Sequence, residues 1–251
     1  MHDNSQSKLA QIGTLYGISV GPGDPELVTL KGLRYLQRAK VIAFPAGIQG
    51  KPGIAQTIIS PWLQPHQQQL SLHFPYVRDL ETLTQAWNDA AQKVWNYLEQ
   101  GQDVAFACEG DVSFYSTFTY LAQTLQHLHP DAIVETVPGV SSPMAAAAAL
   151  ELPLTARNQR LAVLPAIYTM GELESVLEWA DVVVLMKVSS VYEQVWQVLQ
   201  SYQLLDRSWI VERATLPQQK RYNLRDRATL KLPYFSLLIV WVREPLMVSQ
   251  S

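Results

Sequence analysis

Apolar positions along this chain fall into two patterns that take turns. Leu15-Tyr16-Gly17-Ile18-Ser19-Val20 is a short run stopped by Gly21-Pro22-Gly23. It is too brief for a helix and predicts a buried strand. Asp24-Pro25-Glu26 follows, with Asp suited to cap a helix, Pro to its first position and Glu to its first turn. One helix is predicted from there to about Arg38, with Leu27, Leu30, Leu33 and Leu36 recurring along it. Val41-Ile42-Ala43-Phe44 is a second strand, closed by Pro45. Strand, helix, strand is the opening of an α/β unit.

The alternation continues. Ile54 to Leu63 reads as a short helix interrupted at Pro61, and Leu70 to Tyr76 as a strand. From Asp79 to Gln100, the positions Leu80, Leu83, Trp87, Ala90, Ala91, Val94 and Leu98 recur at three- and four-residue steps, the spacing of one helix face. Asp103–Cys108 and Ile133–Val137 are predicted strands around a helix from Phe114 to His127. A helix of small residues, Ser142 to Leu150, follows. Strands at Leu161–Leu164, Asp181–Met186 and Trp209–Val211 then alternate with helices at Gly171–Trp179 and Ser190–Tyr202. The apolar stretch Tyr234–Val242 is expected to close an antiparallel edge. The fold class is therefore α/β in two domains, residues 14–136 and 137–251, behind a polar, flexible tail of residues 1–13.

Composition narrows the function classes. The chain has 251 residues, 48% hydrophobic and 16% charged, which excludes a disordered protein. A net charge of −3 provides no basic excess for nucleic acid or an anionic membrane. No Lys/Arg-rich stretch is present, which speaks against an RNA substrate. The single cysteine, Cys108, excludes an intramolecular disulfide and a zinc site of several cysteines. The histidines, His2, His66, His73, His127 and His129, form no ligand pattern, and no protein-bound metal is expected. No apolar run approaches a membrane span, and the first residues lack the apolar core of a secretion signal, so a cytoplasmic protein is expected.

Candidate chemistry lies in loops after strands, where open α/β sheets bind ligands. The first is Gly21-Pro22-Gly23-Asp24, which lacks both the dinucleotide and the Walker glycine spacing. It is also readable as a tight strand-to-helix turn. The second is Glu109-Gly110-Asp111-Val112-Ser113-Phe114-Tyr115-Ser116, where Gly110 can present backbone groups to a ligand. Asp111 can cap a helix or accept from ligand hydroxyls or an amine, and the aromatics can equally be core. The third is Pro138-Gly139-Val140-Ser141-Ser142, whose serines suit helix capping and lack a nucleophile elbow. The fourth pairs Met186-Lys187 with Glu212-Arg213-Ala214-Thr215 at two strand ends.

Taken in order, the four loops resemble the motifs of the tetrapyrrole (corrin and porphyrin) methylase family, over about residues 14 to 243. Within it, Pro45-Ala46-Gly47, the EGDVSFYSTF form of the second motif and the ERAT form of the fourth resemble the branch that methylates C-20 of precorrin-2 or its cobalt complex in cobalamin synthesis. Two departures from the commoner family pattern suit that branch: Glu109-Gly110-Asp111-Val112 where many members have Gly-Gly-Asp-Pro, and Ala214 where many have Gly. The resemblance implies two α/β domains with a cleft between them, a homodimer, and S-adenosylmethionine as methyl donor. It implies cofactor contacts at Pro22, Glu109, Gly110, Asp111, Phe114, Ser141, Ser142, Met186 and Ala214. The tetrapyrrole would border Gly21, Gly23 and Asp24, with Arg157, Lys187 and Arg213 as candidate partners for its carboxylates. Asp24 and Tyr115 are candidates for a general base. Alternatives are a methylase of another corrin carbon and a noncatalytic module that binds the cofactor or a tetrapyrrole.

Overall fold

The computed structural model describes residues 11–48, 51–75, 77, 79–166 and 169–243. The chain divides into two compact units between Val140 and Ser141. Residues 1–10 of the predicted tail, and Tyr76 at the end of the third predicted strand, lie outside the described residues.

The first unit holds five parallel strands: β1 (Thr14–Ser19), β2 (Val41–Pro45), β3 (Gln68–Leu72), β4 (Val104–Cys108) and β5 (Ile133–Val137). They lie in the order β3-β2-β4-β1-β5. Helices α1 (Leu30–Arg38) and α2 (Ile54–Ile59) cover one face, where Leu36, Ala55, Ile58 and Ile59 pack against Ile18, Ile42, Ala105 and Ala107. Helices α3 (Leu80–Leu98) and α4 (Thr117–Leu128) cover the other, where Val94, Leu98, Phe118 and Leu121 meet Leu15, Ala43, Val104 and Phe106. Because β4 is buried throughout, alternate residues serve alternate faces and no polar face survives in its sequence.

This winding creates a switch point. β1 and β4 are neighbours, yet β1 leads to a helix on one face and β4 to a helix on the other. Such a point opens a crevice outside the carboxyl ends of the two strands.

The single helix expected from Asp24 to Arg38 is broken. A 3-10 turn at Pro25–Leu27 comes first, with Asp24 accepting from the Glu26 N–H at 2.9 Å. The backbone then straightens at Val28 and restarts, because Thr29 Oγ1 accepts from the Gly32 N–H at 3.0 Å and caps α1 on its own account. A similar competition shortens α4. Ser116 accepts from the Phe118 N–H at 3.0 Å, so the helix begins at Thr117 rather than Phe114.

The second unit opens with α5 (Ser142–Leu150). It continues through β6 (Leu161–Leu164), α6 (Met170–Trp179), β7 (Val182–Met186), α7 (Tyr192–Ser201), β8 (Ser208–Glu212), β9 (Lys220–Asn223) and β10 (Ser236–Trp241). The sheet order is β6-β7-β10-β8-β9. β6 and β7 are parallel, while β10 runs antiparallel to both of its neighbours. The last apolar stretch therefore does form an antiparallel strand, but a central one. All six of its residues are buried, which an edge position would not provide, and β9 takes the edge. Asp181 fastens one end of this sheet. It accepts from the Arg160 N–H at 2.7 Å and pairs with Arg243 at 3.0 Å. No helix among the described residues is long and apolar enough to cross a membrane.

Gly17 marks how closely α4 packs on β1, since a Cβ there would lie 2.4 Å from the Phe118 ring. Gly17→Ala is expected to cost about 1–3 kcal/mol by overpacking. The midpoint of urea unfolding should fall accordingly, and Phe118→Leu in the same chain should recover part of the loss.

Candidate functional site

The carboxyl ends of β1, β4 and β5 are joined by a small set of hydrogen bonds. The backbones of Gly21 and Gly110 bond reciprocally, with Gly110 N–H donating to Gly21 O at 2.8 Å and Gly21 N–H to Gly110 O at 3.2 Å. Val20 N–H donates to Cys108 O at 2.9 Å. Both glycines have left-handed backbones, φ +78° and +71°, which glycine adopts without the cost of a Cβ.

Asp111 completes the join. One carboxylate oxygen accepts from the Gly139 N–H at 2.7 Å and from Ser19 Oγ at 3.4 Å. The other accepts from the Ser113 N–H at 2.8 Å and the Ser113 hydroxyl. Ser19, fully buried, also accepts from the Val112 N–H at 2.8 Å. Burial alone would raise the Asp111 carboxyl, but these bonds from Ser113, Gly139 and Ser19 outweigh it and hold the group below the usual carboxylate range. Gly139 sits where a Cβ would come within 2.6 Å of Ser19 Cβ, so β5's loop can approach this closely only as glycine.

Glu109, one residue before Gly110, is in the opposite electrostatic state. It is partly buried, and its carboxylate has neither a hydrogen bond nor an ion pair among the described residues. Burial pushes it up to about 7. Cys108 beside it is buried and bonded to Ser116 Oγ at 2.9 Å. Burial raises the thiol to about 12, so it stays protonated. A Cβ on Gly110 would meet nothing within 4 Å. The backbone there faces open space.

The first unit thus brings together Gly21, Pro22, Gly23, Asp24, Glu109, Gly110, Asp111 and Phe114 at one sheet end. Tyr115 belongs to the same loop but is no core residue. It is 54% exposed, left-handed at φ 51°, and packs edge-on against Phe114.

In the second unit, Met186 and Lys187 leave β7 while Arg213, Ala214 and Thr215 leave β8, at the same end of the sheet. β10 lies between them, and Arg213 N–H donates to Phe235 O at 2.7 Å. Two strand spacings put the Lys187 and Arg213 backbones about 10 Å apart. Neither cation makes an ion pair among the described residues. Lys187, Arg213 and Thr215 all have left-handed backbones, at φ 54°, 48° and 68°. Each costs on the order of 1 kcal/mol in a residue with a Cβ, and such strain clusters at functional loops. Arg157 shares the left-handed backbone but not the location. Its turn precedes Arg160, which bonds Asp181 at the amino end of β7. The fold therefore does not bring Arg157 together with Lys187 and Arg213. Ser141 stands at the N-cap position of α5, with Ser142 next, yet its hydroxyl makes no capping bond.

Two residues central to this geometry escape sequence reasoning: Ser19 as a binding hub and Thr215 as a strained exit. A serine inside an apolar run was the available signal for Ser19. Nothing in the sequence marks Thr215 as left-handed.

A doubly wound parallel sheet with its loops tied at the switch point, followed by a mixed sheet with strained cationic exits, defines a class. The chain belongs to the Tetrapyrrole (Corrin/Porphyrin) Methylases, whose family pattern matches residues 14–227. It is 36% identical over 236 residues to the cobalamin biosynthesis protein CobIJ of Mycobacterium tuberculosis, covering 91% of this chain and 46% of that protein. The chain thus spans about half the length of that relative. It is 32% identical to the cobalt-precorrin-2 C(20)-methyltransferase of Salmonella typhimurium, with 91% and 96% of the two chains covered. To the precorrin-2 C(20)-methyltransferase of a Sinorhizobium species it is 31% identical, with 93% and 98% covered. Among solved structures, the cobalt precorrin-4 methyltransferase CbiF has the same fold, with a TM-score of 0.70 at 23% identity over 92% of this chain and 96% of that one. So does the uroporphyrin-III C-methyltransferase of Thermus thermophilus, solved with S-adenosyl homocysteine, at 0.62 and 22% over 91% and 97%.

Removing the Asp111 carboxylate orphans donors on two other loops. Asp111→Ala is expected to cost about 2–4 kcal/mol at neutral pH, the scale of charged hydrogen bonds lost in a buried site. Because the folded group titrates below its ordinary 3.8, its stabilisation is full above that value and disappears as pH falls through the folded pKa. Urea unfolding of the wild type and variant should show a gap at pH 7 that narrows below pH 4.

Proposed function

We propose that the chain transfers a methyl group from S-adenosylmethionine to C-20 of precorrin-2, or of its cobalt complex, in cobalamin biosynthesis. The observation that carries this reading is near full-length likeness to two C(20)-methyltransferases, joined to a tied crevice at the switch point of the first sheet.

The residues present fit the donor. The crevice loops, residues 20–25, 109–116 and 138–140, contain acids but no Lys or Arg, which suits a cationic sulfonium. The open space at Gly110 lets a ligand reach main-chain groups. Pro22, the main chain of Glu109 and Gly110, Asp111 and Phe114 on the first unit, and Ser141, Ser142, Met186 and Ala214 on the second, are the proposed contacts. When bound, S-adenosylmethionine supplies a methyl group activated on sulfur. The chain's own part is to hold the acceptor carbon in line and to keep water away, contributions that can reach several orders of magnitude in rate. Gly21, Gly23 and Asp24 would border the tetrapyrrole. Lys187 and Arg213 are proposed to hold its carboxylates, since both are cations at a strand exit with no ion pair among the described residues. A homodimer in the cytoplasm is part of the same reading and rests on family likeness.

Incubating the protein anaerobically with S-adenosylmethionine and either precorrin-2 or cobalt-precorrin-2 should add one methyl group, placed at C-20 by NMR of the product. Methylation at another carbon, or none, would remove the assignment. The faster of the two acceptors decides the metal question. Lys187→Ala and Arg213→Ala should each raise the tetrapyrrole KM by about tenfold or more, the scale of one charged hydrogen bond. Their affinity for S-adenosyl homocysteine should be unchanged.

A further inference from the structure

Methylating C-20 differs from methylating a carbon that carries no hydrogen, because a meso carbon must lose a proton to restore conjugation. We propose that the Glu109 carboxylate accepts that proton; this rests on the C-20 reading above.

The placement of Glu109 carries the argument. It leaves β4 at the switch point, between Cys108 and Gly110, both of which are tied by their backbones to the β1 loop. Its backbone position is therefore fixed, while its carboxylate has no hydrogen bond or ion pair among the described residues. The other groups on these loops are already engaged. Asp111 spends both oxygens on Ser19, Ser113 and Gly139 and is held ionised by them. Cys108 is locked as a thiol against Ser116. Asp24 accepts from Glu26 N–H in the first turn. The titratable groups on its own loop are the neutral Cys108 thiol, the ionised Asp111 and the Tyr115 phenol, whose exposed ring packs edge-on against Phe114. Asp24 is the only ionisable side chain on the tied β1 loop (residues 20–24), and the β5 loop, residues 138–140, has none. No cation on these loops stabilises the Glu109 carboxylate, and burial brings it near neutrality, where a base is both available and strong enough to act.

The step balances without another reactant. The acceptor's π electrons form the new C–C bond as the carbon–sulfur bond breaks. The C-20–H bond then breaks, its electron pair returns to the conjugated system, and the proton passes to Glu109 and on to solvent. The products are the methylated tetrapyrrole, the thioether and one proton.

The test compares wild type with Glu109→Gln, which keeps the shape and removes the base. The wild type should show kcat rising with pH through about 7. The variant should lose that limb and fall by about 10²-fold or more in kcat. S-adenosyl homocysteine affinity, measured by calorimetry, should stay within about twofold. Deuterium at C-20 should slow the variant more than the wild type, because proton removal becomes limiting. On the unliganded proteins, an infrared difference spectrum should show a carboxyl group titrating near 7 in the wild type only. A folded pKa above the unfolded 4.5 means that stability is lost as pH rises towards 7. The variant should therefore melt higher than the wild type at pH 8, with less difference at pH 4. Wild-type-like kcat with the limb intact would overturn the proposal. So would a loss confined to cofactor affinity. If the wild type itself leaves C-20 unmethylated, the functional reading fails, and that result is read before any variant is made.

Discussion

The Asp111 carboxylate is the point on which the first unit's functional end depends. Three strands finish side by side with their next residues heading to different places: β1 to a 3-10 turn, β4 to a loop before α4, and β5 out of the unit. Strand ladders stop at the strand ends, so nothing in the sheet itself sets the spacing of these loops. Asp111 does so by accepting from Ser19 at the end of β1 and from Gly139 beyond β5, while its own turn is closed by Ser113. Each donor is a neutral group facing a fixed negative charge, the arrangement in which a hydrogen bond is worth most. The close approach also dictates composition. Gly139 cannot carry a Cβ against Ser19, and Gly21 and Gly110 need the left-handed backbone through which they bond each other. The glycines and the serine follow from the position of one charge.

The second unit solves a related problem at higher cost. Its exits from β7 and β8 turn sharply through Lys187, Arg213 and Thr215, each left-handed without being glycine. Glycine would make the same turns with less strain. The side chains are therefore what the strained positions retain, and two of the three are cations with no ion pair among the described residues. Two other left-handed residues of this unit sit at helix ends. Glu151 closes the end of α5 and Gln203 follows α7, where such a conformation ends helices routinely. Lys187 opens the 3-10 turn Val188–Ser190, and Arg213 O accepts from the Leu216 N–H, so these exits are also tight turns.

Much of this was legible from the sequence, and the failures have definite causes. Buried strands such as Val104–Cys108 and Val182–Met186 show as continuous apolar runs, and α3 shows its face at helical spacing across five turns. The boundaries slipped where a hydroxyl competed with the pattern, as Thr29 did for α1 and Ser116 for α4. Periodicity cannot see a cap inside an otherwise helical stretch. The antiparallel character of Tyr234–Val242 was readable but its central place was not, because strand order is set by contacts far apart in the chain. In the loops, glycine motifs flagged segments that the first unit gathers at one end of its sheet. Which acid in Glu109-Gly110-Asp111 is committed and which is not depends on donors from β1 and β5, more than twenty residues distant.

That last distinction bears on what the loop does. Two carboxylates stand two residues apart, and the fold drives them in opposite directions, one below its usual range and the other up to about 7. Burial raises Glu109, whereas the donors around Asp111 outweigh its burial. The donors of Ser19, Ser113 and Gly139 converge on Asp111. The Glu109 carboxylate receives no hydrogen bond among the described residues. Concentrating the donors on one acid is what makes the other a candidate base, and it costs stability at neutral pH that a purely structural loop would have no reason to give up. A glycine at position 109 would avoid that cost and still let β4 reach Gly110. The carboxylate is thus an addition to a loop that is already held together without it.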